Sequence, residues 1–540
     1  MSSLNCTFTF LFLIFANLLL LGTSTSNNHD FLECLIHQFQ LSNLDTDIIY
    51  TPQNATYASL LLTQNLRAAT TSPEKPDLIV TPFYVSEIQA AVFCSRKLGL
   101  QIRVKSGGHD YEGLSYTSAS TPFMIIDMRN FRSVTVNDKA KTAWVQAGAT
   151  LGELYYTISL KSKTLGFPAG ACPTVGVGGH FSGGGYSMMS RKHSIASDHI
   201  VDAKLINADG EILDRSSMGE DLFWAIRGGG GTSFGIVLEF KVTLVSVPET
   251  VTVFNVTRTL EENATDIVNK WQYIADKVDE NLLLRLFLAP SNSRTISASF
   301  TTLYLGRIGD LMPIMEEQFP ELGLTEKDCM EMSWVESHLF FAGFENRTVD
   351  VLLDRTPQGI YGAITYFKGK SDYVSAPIPV KGLREIWRFL LEEEGSQAQL
   401  QFSPYGGVFN TISDSETPFP HRNGNIFMIF YVVVWDNPSE SQAHLDWIRG
   451  FYSFMARYVT QNPRAAYFNY RDLDIGSNTQ DSSITTYDQA SVWGLKYFKN
   501  NFRRLVGVKT KIDPSNFFRN EQSIPPLVSY LENRFNSSSI

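Results

Sequence analysis

The chain has 540 residues, a formal net charge of −10 and 19% charged residues. This length exceeds one ordinary hydrophobic core, so we expect two or three domains. The negative charge, with no lysine- or arginine-rich run to offset it, excludes a nucleic-acid partner. The 37 Phe and 22 Tyr residues supply a large core, and they could also line a pocket for a flat organic substrate.

The N-terminus has the pattern of a signal peptide over residues 1–26. An almost wholly apolar stretch, residues 8–21, is followed by the small residues 23–26, although no Lys or Arg precedes it. A run of about 14 apolar residues is too short to span a bilayer as a mature helix. No other stretch is long enough to do so, and we therefore expect a protein of the secretory pathway without a membrane span.

Secretion makes the cysteines and the glycosylation motifs interpretable. In an oxidising compartment, a Cys34–Cys94 bridge would tie the N-terminal tail to the first domain. Cys172 lies in a motif that indicates another role, which leaves Cys329 as a buried thiol. N-glycosylation motifs occur at Asn54, Asn255, Asn263, Asn346 and Asn536.

The first elements predict a β-α-β unit behind a polar helical segment over residues 27–74. Residues 78–80 form a short strand, and Ser86, Glu87 and Gln89 have the pattern of a capping box that opens a helix. Gly99 ends this helix, and the next strand covers residues 101–105. A glycine-rich loop follows that strand directly, which is where ligands bind in α/β sheets.

The rest of the chain divides into a first domain over 75–250, a second over 251–465 and a C-terminal segment over 466–527. Further strands of the first domain are expected at 124–127, 144–147, 200–207 and 236–245. The second domain is expected to be an antiparallel sheet with strands near 282–289, 295–305 and 425–435, backed by helices near 260–278 and 379–394. The C-terminal segment is polar and rich in Tyr and Asp.

Two glycine-rich loops each carry one nucleophilic side chain. His109 follows Ser106-Gly107-Gly108, and Cys172 lies just before Gly176-Val177-Gly178-Gly179. With the glycines of 183–185 and 228–231, these loops offer backbone N–H groups that can bind a pyrophosphate. Ordinary tight turns are the alternative, but four such elements within 106–231 favour a dinucleotide cofactor. None follows a strand as G-x-G-x-x-G, which argues against a Rossmann fold, and no zinc or P-loop motif is present.

Seven motifs in a fixed order resemble one family: SGGHDYEG, GACPTVGVGGHFSGGGY, DLFWAIRGGGGTSFG, PYGG, TPFPHR, YFNYRDLDIG and FFRNEQSIPPL. The chain resembles the plant berberine-bridge-enzyme-like oxidases, which include the cannabinoid oxidocyclases, over nearly everything after residue 26. This resemblance implies an α+β protein of the vanillyl-alcohol-oxidase type. The 75–250 domain would be a PCMH-type FAD-binding domain, 251–465 an α/β substrate domain on an antiparallel sheet, and 466–527 a segment that returns to the FAD domain.

The resemblance also implies FAD attached covalently at two points, through His109 and Cys172, both nucleophiles able to attack an electron-poor ring. Val175 would control access of dioxygen to the reduced flavin, and its small side chain resembles that of the oxidases. The remaining cofactor-binding residues that the resemblance implies are Ser106, Gly107, Gly108, Asp110, Gly176, Gly178, Gly179, His180, Gly235, Ile236, Asn469 and Tyr470.

Tyr470 corresponds to the family's catalytic tyrosine, and a neighbouring cation or hydrogen bond would let it act as a base with a lowered pKa. Many relatives carry Glu or Gln on the strand before Trp435, and the alignment puts Met428 there. Met cannot transfer protons, so a mechanism based on a strand carboxylate is not expected. Arg285 and Arg294, on or beside a strand of the second domain, could orient an acidic or phenolic substrate, although surface positions fit them equally.

The sequence therefore predicts a monomeric, secreted FAD-linked oxidase of plant specialised metabolism, in the apoplast or the vacuole. It would oxidise a phenolic, prenylated or alkaloid-like substrate, with ring closure, and dioxygen would be the electron acceptor. Two alternatives stay open. One is a non-redox Diels–Alder cyclase on the same FAD-containing scaffold, similar to mulberry-type enzymes, and the other is a carbohydrate oxidase.

Overall fold

The computed structural model describes residues 30–527, apart from 43, 45, 73, 120, 121, 292, 293, 345, 357–363 and 479–484. Helices and largely antiparallel sheets alternate along these residues, which confirms the predicted α+β class. The predicted signal peptide over 1–26 and the motif at Asn536 lie outside the described residues.

Eighteen strands are present in the described residues, and most lie where the sequence predicts them. Their bounds are β1 Ile49–Tyr50, β2 Leu78–Val80, β3 Gln101–Lys105, β4 Phe123–Asp127, β5 Val134–Asn137, β6 Thr142–Gln146, β7 Leu165–Gly166, β8 Ile200–Ile206, β9 Ile212–Leu213, β10 Ile236–Thr243, β11 Val245–Ser246, β12 Val251–Thr259, β13 Leu282–Pro290, β14 Ile296–Tyr304, β15 Cys329–Met332, β16 Tyr366–Val374, β17 Ala398–Pro404 and β18 Phe427–Trp435.

The helices of the described residues begin with α1, residues 30–41. The others are α2 Tyr57–Leu61, α3 Leu66–Thr71, α4 Val85–Leu98, α5 Leu151–Lys161, α6 Val177–Ser182, α7 Ser190–His193, α8 Arg215–Ile226, α9 Ala264–Ile274, α10 Ile308–Gln318, α11 Trp334–Ala342, α12 Val380–Leu390, α13 Ser441–Met455, α14 Tyr487–Phe498 and α15 Asn501–Ile512.

The predicted β-α-β unit is present, with two differences. Strand β4 lies between β2 and β3 in a four-stranded sheet of order β1-β2-β4-β3, in which β2, β4 and β3 are parallel. The N-cap of α4 is Tyr84 rather than Ser86, because the Glu87 carboxylate accepts the backbone N–H of Tyr84 at 2.9 Å. The first glycine-rich loop still begins directly after β3, at residue 106.

Two antiparallel sheets follow. The first has five strands in the order β5-β6-β10-β8-β9, and the second has seven in the order β15-β12-β14-β13-β17-β18-β16. Alternate residues of β18 separate two cores: Phe427, Ile429 and Tyr431 pack with the helices behind the seven-stranded sheet, whereas Met428 packs with the core of the first domain. We call the face of the seven-stranded sheet that carries Met428, opposite the helices, its front. The front therefore faces the five-stranded sheet and the glycine loops of the first domain.

The C-terminal segment contains two helices, α14 and α15, which its polar composition does not predict. The helix α15 carries Lys509, whose buried ammonium donates to the Ser233 carbonyl at 2.6 Å and to Asp513 at 2.7 Å. Farther along the segment, the two carboxylate oxygens of Glu521 accept hydrogen bonds of 2.9 and 3.0 Å from the guanidinium of Arg103 in β3. The segment thus packs against the glycine-loop domain at two separate points.

The cysteines are arranged as the sequence predicts, whereas the N-glycosylation motifs remain a prediction. The predicted Cys34–Cys94 disulfide is present and joins α1 to α4, and Cys329 is a buried free thiol. Asn54, Asn255, Asn263 and Asn346 are all exposed, and Asn255 also contributes to the cavity described below. Among the described helices, none combines the length and the apolar character that crossing a bilayer requires.

A buried cluster of charges joins the seven-stranded sheet, the C-terminal segment and the loop after His109. The ammonium of Lys368 contacts Glu112 and, at 2.7 Å, Asp472, which also accepts from Lys370 at 2.8 Å. Burial alone would lower the pKa of Lys368, but the surrounding carboxylates outweigh this effect and raise it. The opposite charges packed together offset part of the cost of burying each of them.

We expect Asp472→Asn to reduce the free energy of unfolding by roughly 3–5 kcal/mol, because it leaves buried ammonium groups under-compensated. The measurement is the urea midpoint followed by tryptophan fluorescence. The control is Asp221→Asn, which breaks the exposed Arg504–Asp221 pair and should cost less than about 1 kcal/mol. Equal midpoints for the two variants would show that the buried cluster does not stabilise the fold.

Candidate functional site

A cavity of about 1020 Å³ lies between the glycine loops and the front of the seven-stranded sheet. Its volume is at the upper end of the roughly 300–1,000 Å³ typical of small-molecule sites, so it can hold a large cofactor together with a substrate. One wall comes from the two glycine-rich loops, another from β13, β14, β17 and β18, and a third from the C-terminal segment.

The two glycine-rich loops are in direct backbone contact. A Cβ atom on Gly107 would lie 2.3 Å from the Gly176 nitrogen, and one on Gly176 would lie 2.1 Å from the Ser106 hydroxyl oxygen. Any side chain at either position would force the loops apart. The Ser106 hydroxyl donates to the Ala147 carbonyl at 2.6 Å and fixes the first loop against the end of β6.

This contact brings His109 and Cys172 to the same hydroxyl group. The Thr174 Oγ1 atom lies 3.0 Å from Nε2 of His109 and 3.5 Å from Sγ of Cys172. In the tautomer that carries its proton on Nε2, His109 donates to the Thr174 hydroxyl, and Nδ1 keeps its lone pair as the nucleophilic atom. The hydroxyl proton is then available for the Cys172 sulfur.

Burial sets the protonation state of both nucleophiles. The enclosed position lowers the pKa of His109 to about 4, so the imidazole is neutral at physiological pH. Burial raises the pKa of the Cys172 thiol, while hydrogen bonds from Thr174 and Val175 oppose this rise. The hydrogen bonds of Thr174 therefore favour the nucleophilic thiolate form of Cys172.

His180, Asn469 and Asp110 line the cavity as expected and also hold its walls in place. Nε2 of His180 accepts the Gly170 N–H at 3.0 Å, and burial lowers the pKa of this ring to about 4. The Asn469 amide donates to the His180 carbonyl at 2.9 Å. The Asp110 carboxylate accepts two backbone N–H groups at 3.0 Å and so fixes the turn after His109.

Tyr470 forms part of an aromatic wall opposite these nucleophiles. Its ring stacks on Tyr111 at 5.6 Å with an interplanar angle of 7°, and it packs against Phe430 at 4.3 Å. The expected lowered pKa is wrong, because burial raises the pKa of Tyr470, with Arg285 and a hydrogen bond from Gln401 acting in the opposite direction. The hydroxyl is therefore protonated at neutral pH in the free protein.

The sheet side of the cavity is more polar than the aromatic content of the sequence indicates. The antiparallel register places Thr301 opposite Arg285, and Gln401 opposite Phe430. The Gln401 amide donates to the Ser403 hydroxyl at 3.0 Å, which fixes its orientation. The wall thus combines amide and hydroxyl groups with one guanidinium, beside the aromatic rings.

Four predicted site residues do not line the cavity. Gly235 and Ile236 are buried behind it, and Val237 lines it instead. Arg294 lies exposed at the turn between β13 and β14, which is the surface position that the sequence analysis left open for it. Met428 faces the correct side of β18 but is fully buried beyond the end of the cavity, so Phe430 is the residue of this strand that contacts Tyr470. Neither Met428 nor Phe430 can exchange a proton.

Several contributing residues are missing from the sequence analysis, because nothing in their local sequence marks them. Gln401 and Phe430 could be identified only from the register of β17 and β18. Thr174 stands two residues after Cys172 in the same motif, and a short polar side chain this close to a nucleophile is a signal that could have been used.

The residues present fit a dinucleotide cofactor. A Cβ atom on Gly179 would meet nothing within 4 Å, so this loop leaves open space for a ligand at the start of α6. The Gly231 backbone and the Arg519 guanidinium also line this cavity. This combination suits a pyrophosphate next to a ring system that His109 and Cys172 can reach.

The comparisons with known proteins agree with this arrangement. Residues 76–216 match the model of the FAD binding domain, and residues 466–525 match the model described as berberine and berberine like. Berberine bridge enzyme-like 18 of Arabidopsis thaliana is 48% identical over 507 residues, which cover 94% of each chain. Tetrahydroberberine oxidase of Berberis wilsoniae is 47% identical over 517 residues, which cover 94% of this chain and 96% of that protein.

A solved structure extends the similarity to the fold. The structure of BBE-like #28 from Arabidopsis thaliana superimposes with a TM-score of 0.86 at 46% identity, and the match covers 92% of this chain and 100% of that chain. The chain therefore belongs to the berberine bridge enzyme-like family of FAD-dependent oxidoreductases.

Proposed function

We propose that this protein is a secreted oxidase that carries FAD on both His109 and Cys172 and oxidises a phenolic or related aromatic substrate, with cyclisation. The observation that carries this proposal is the pair of nucleophiles held by one Thr174 hydroxyl, across the cavity from Tyr470. When bound, FAD supplies the hydride acceptor, and dioxygen reoxidises it with release of hydrogen peroxide.

The residues of the chain perform the remaining tasks. Tyr111, Phe430 and Tyr470 form an apolar wall against which an aromatic ring can lie. In its deprotonated form, Tyr470 accepts the proton of a substrate hydroxyl at its phenolic oxygen, and the Gln401 amide stabilises that form. The half-buried Val175 lines the cavity directly before Gly176, and its small side chain would leave space for dioxygen.

Two observations support this assignment. The Berberis wilsoniae relative is named an oxidase of tetrahydroberberine, a small polycyclic compound. The Cys34–Cys94 disulfide is typical of proteins that fold in an oxidising compartment, which fits secretion. The amide and hydroxyl groups around Gln401 favour a carbohydrate as the second candidate substrate, because such groups can bind sugar hydroxyls.

We expect Thr174→Val to release most of the FAD into the supernatant on acid precipitation, because Val keeps the shape but neither accepts from His109 nor donates to Cys172. The measurement is flavin fluorescence of pellet and supernatant. His109→Ala combined with Cys172→Ala is the reference for complete release. Release from the wild-type protein would contradict double attachment, and full retention in Thr174→Val would contradict the role of the hydroxyl.

We expect Tyr470→Phe to lower kcat/KM by about 10²-fold or more and to remove its rise at alkaline pH, because the phenolate is the proton acceptor. Gln401→Leu removes a hydrogen bond that lowers the pKa of Tyr470, so the alkaline limb should move to higher pH. Gln399→Leu, on the same strand and the same cavity wall, is the control and should leave the limb in place. An unchanged profile in Gln401→Leu would exclude this coupling.

We expect anaerobic addition of a suitable phenol, alkaloid or sugar to bleach the flavin, and air to restore it. Val175→Leu should leave the anaerobic bleaching unchanged and slow reoxidation about tenfold, an added barrier of about 1.4 kcal/mol, because the bulkier side chain obstructs dioxygen. Stopped-flow absorbance measures both steps. Substrate turnover without bleaching or peroxide would contradict the oxidase proposal and favour the Diels–Alder alternative.

A further inference from the structure

We propose that the substrate is a phenolic carboxylic acid and that Arg285 binds its carboxylate; this inference rests on the proposed function. Arg285 belongs to β13, lines the cavity and is only 7% exposed. It is the single charged residue that the front of the seven-stranded sheet contributes to the cavity, within the described residues.

The other buried arginines show what is unusual about Arg285. Arg103 is paired with Glu521, and Arg422 is paired with Asp198 at 2.7 Å. Arg191 has no carboxylate partner but donates to five backbone carbonyls at 2.5–3.2 Å. Within the part of the chain that the structure describes, Arg285 has no ion pair and no hydrogen bond, and its buried Nε atom is unpartnered.

The protein itself compensates little of this buried charge. The guanidinium lies 5.7 Å from the centre of the Tyr186 ring, and this cation–π contact offsets only part of the cost of removing the charge from water. A guanidinium that lines the cavity without a carboxylate from the protein can receive its partner from a ligand.

The geometry favours a carboxylate over a phosphate. One planar guanidinium matches the two oxygens of a carboxylate, whereas the sheet wall offers Arg285 no second cation to neutralise a phosphate dianion.

The position relative to Tyr470 narrows the ligand further. Arg285 is close enough to affect Tyr470 electrostatically, and it contacts the Tyr186 ring directly. One small aromatic molecule can therefore place its carboxylate on Arg285 and its hydroxyl at Tyr470, with its ring along the wall of Tyr111 and Phe430.

The test is calorimetric titration of the FAD-loaded protein with 4-hydroxybenzoate and with its methyl ester. These probes differ in one charge and have no alkyl C–H bond next to the ring that can be oxidised as a hydride donor, so the titration reports binding alone. We expect the acid to bind at least about tenfold more tightly than the ester, the range of one charge-assisted hydrogen-bonded pair. Equal or tighter binding of the ester would overturn the proposal.

Arg285→Gln should abolish the preference for the acid without lowering the melting temperature, because the lost charge has no partner in the protein. Arg294→Gln, at the exposed end of the same hairpin, is the matched control and should keep the preference. A preference that survives in Arg285→Gln would overturn the assignment. Anaerobic bleaching of the wild-type flavin tests the oxidase function separately, so an acid preference without bleaching refutes only that function, and bleaching without an acid preference refutes only this inference.

Discussion

The close contact between the two glycine loops is the constraint on which the rest of the site depends. Without side chains at Gly107 and Gly176, the backbone after β3 and the backbone before α6 meet, and their neighbours His109 and Cys172 reach one hydroxyl. The loops themselves are fixed from behind, by Ser106 on the Ala147 carbonyl. Two nucleophiles that are distant in sequence thus share one environment, in which burial keeps the imidazole neutral and the thiol protonated.

The second requirement is that the sheet stays at a fixed distance from those loops. The buried cluster of Lys368, Lys370 and Asp472 joins the edge strand β16 to the C-terminal segment, and Glu112 joins it to the turn just after His109. A charged cluster of this kind contributes little net stability compared with apolar packing, but its partners must meet in one geometry. It therefore fixes the position of the sheet relative to the nucleophiles more strictly than apolar contacts alone would.

The parts of the site that the sequence predicts are those in which neighbouring residues act together. Ser106 to Asp110 and Cys172 to His180 are continuous segments, and their glycines and nucleophiles carry the signal without knowledge of the fold. Gln401 and Phe430 contribute through strand register, which depends on long-range pairing. The alternation of β18 correctly gives the face of the sheet on which Met428 lies. It does not show how far along the strand the cavity extends, and Met428 lies in the core although Phe430, two residues later, lines the cavity. The helices α14 and α15 were missed because their buried faces pack against the rest of the fold, which the polar composition hides.

Phe430 cannot exchange a proton, so the chemistry at Tyr470 depends on the groups around that tyrosine, including Arg285. In the proposed function, proton acceptance depends on Tyr470, whose phenolate is favoured by Arg285 and by Gln401 and disfavoured by burial. A carboxylate bound to Arg285 would cancel part of that positive charge, which would make the Tyr470 phenolate a stronger base but a rarer one at a given pH. With these proposed roles, one guanidinium would couple substrate binding to proton transfer, and an acidic substrate would gain affinity from the same charge that favours the base in the free protein. Because the Gln401 amide is oriented by Ser403 and carries no charge, its stabilisation of the phenolate persists when the carboxylate is bound.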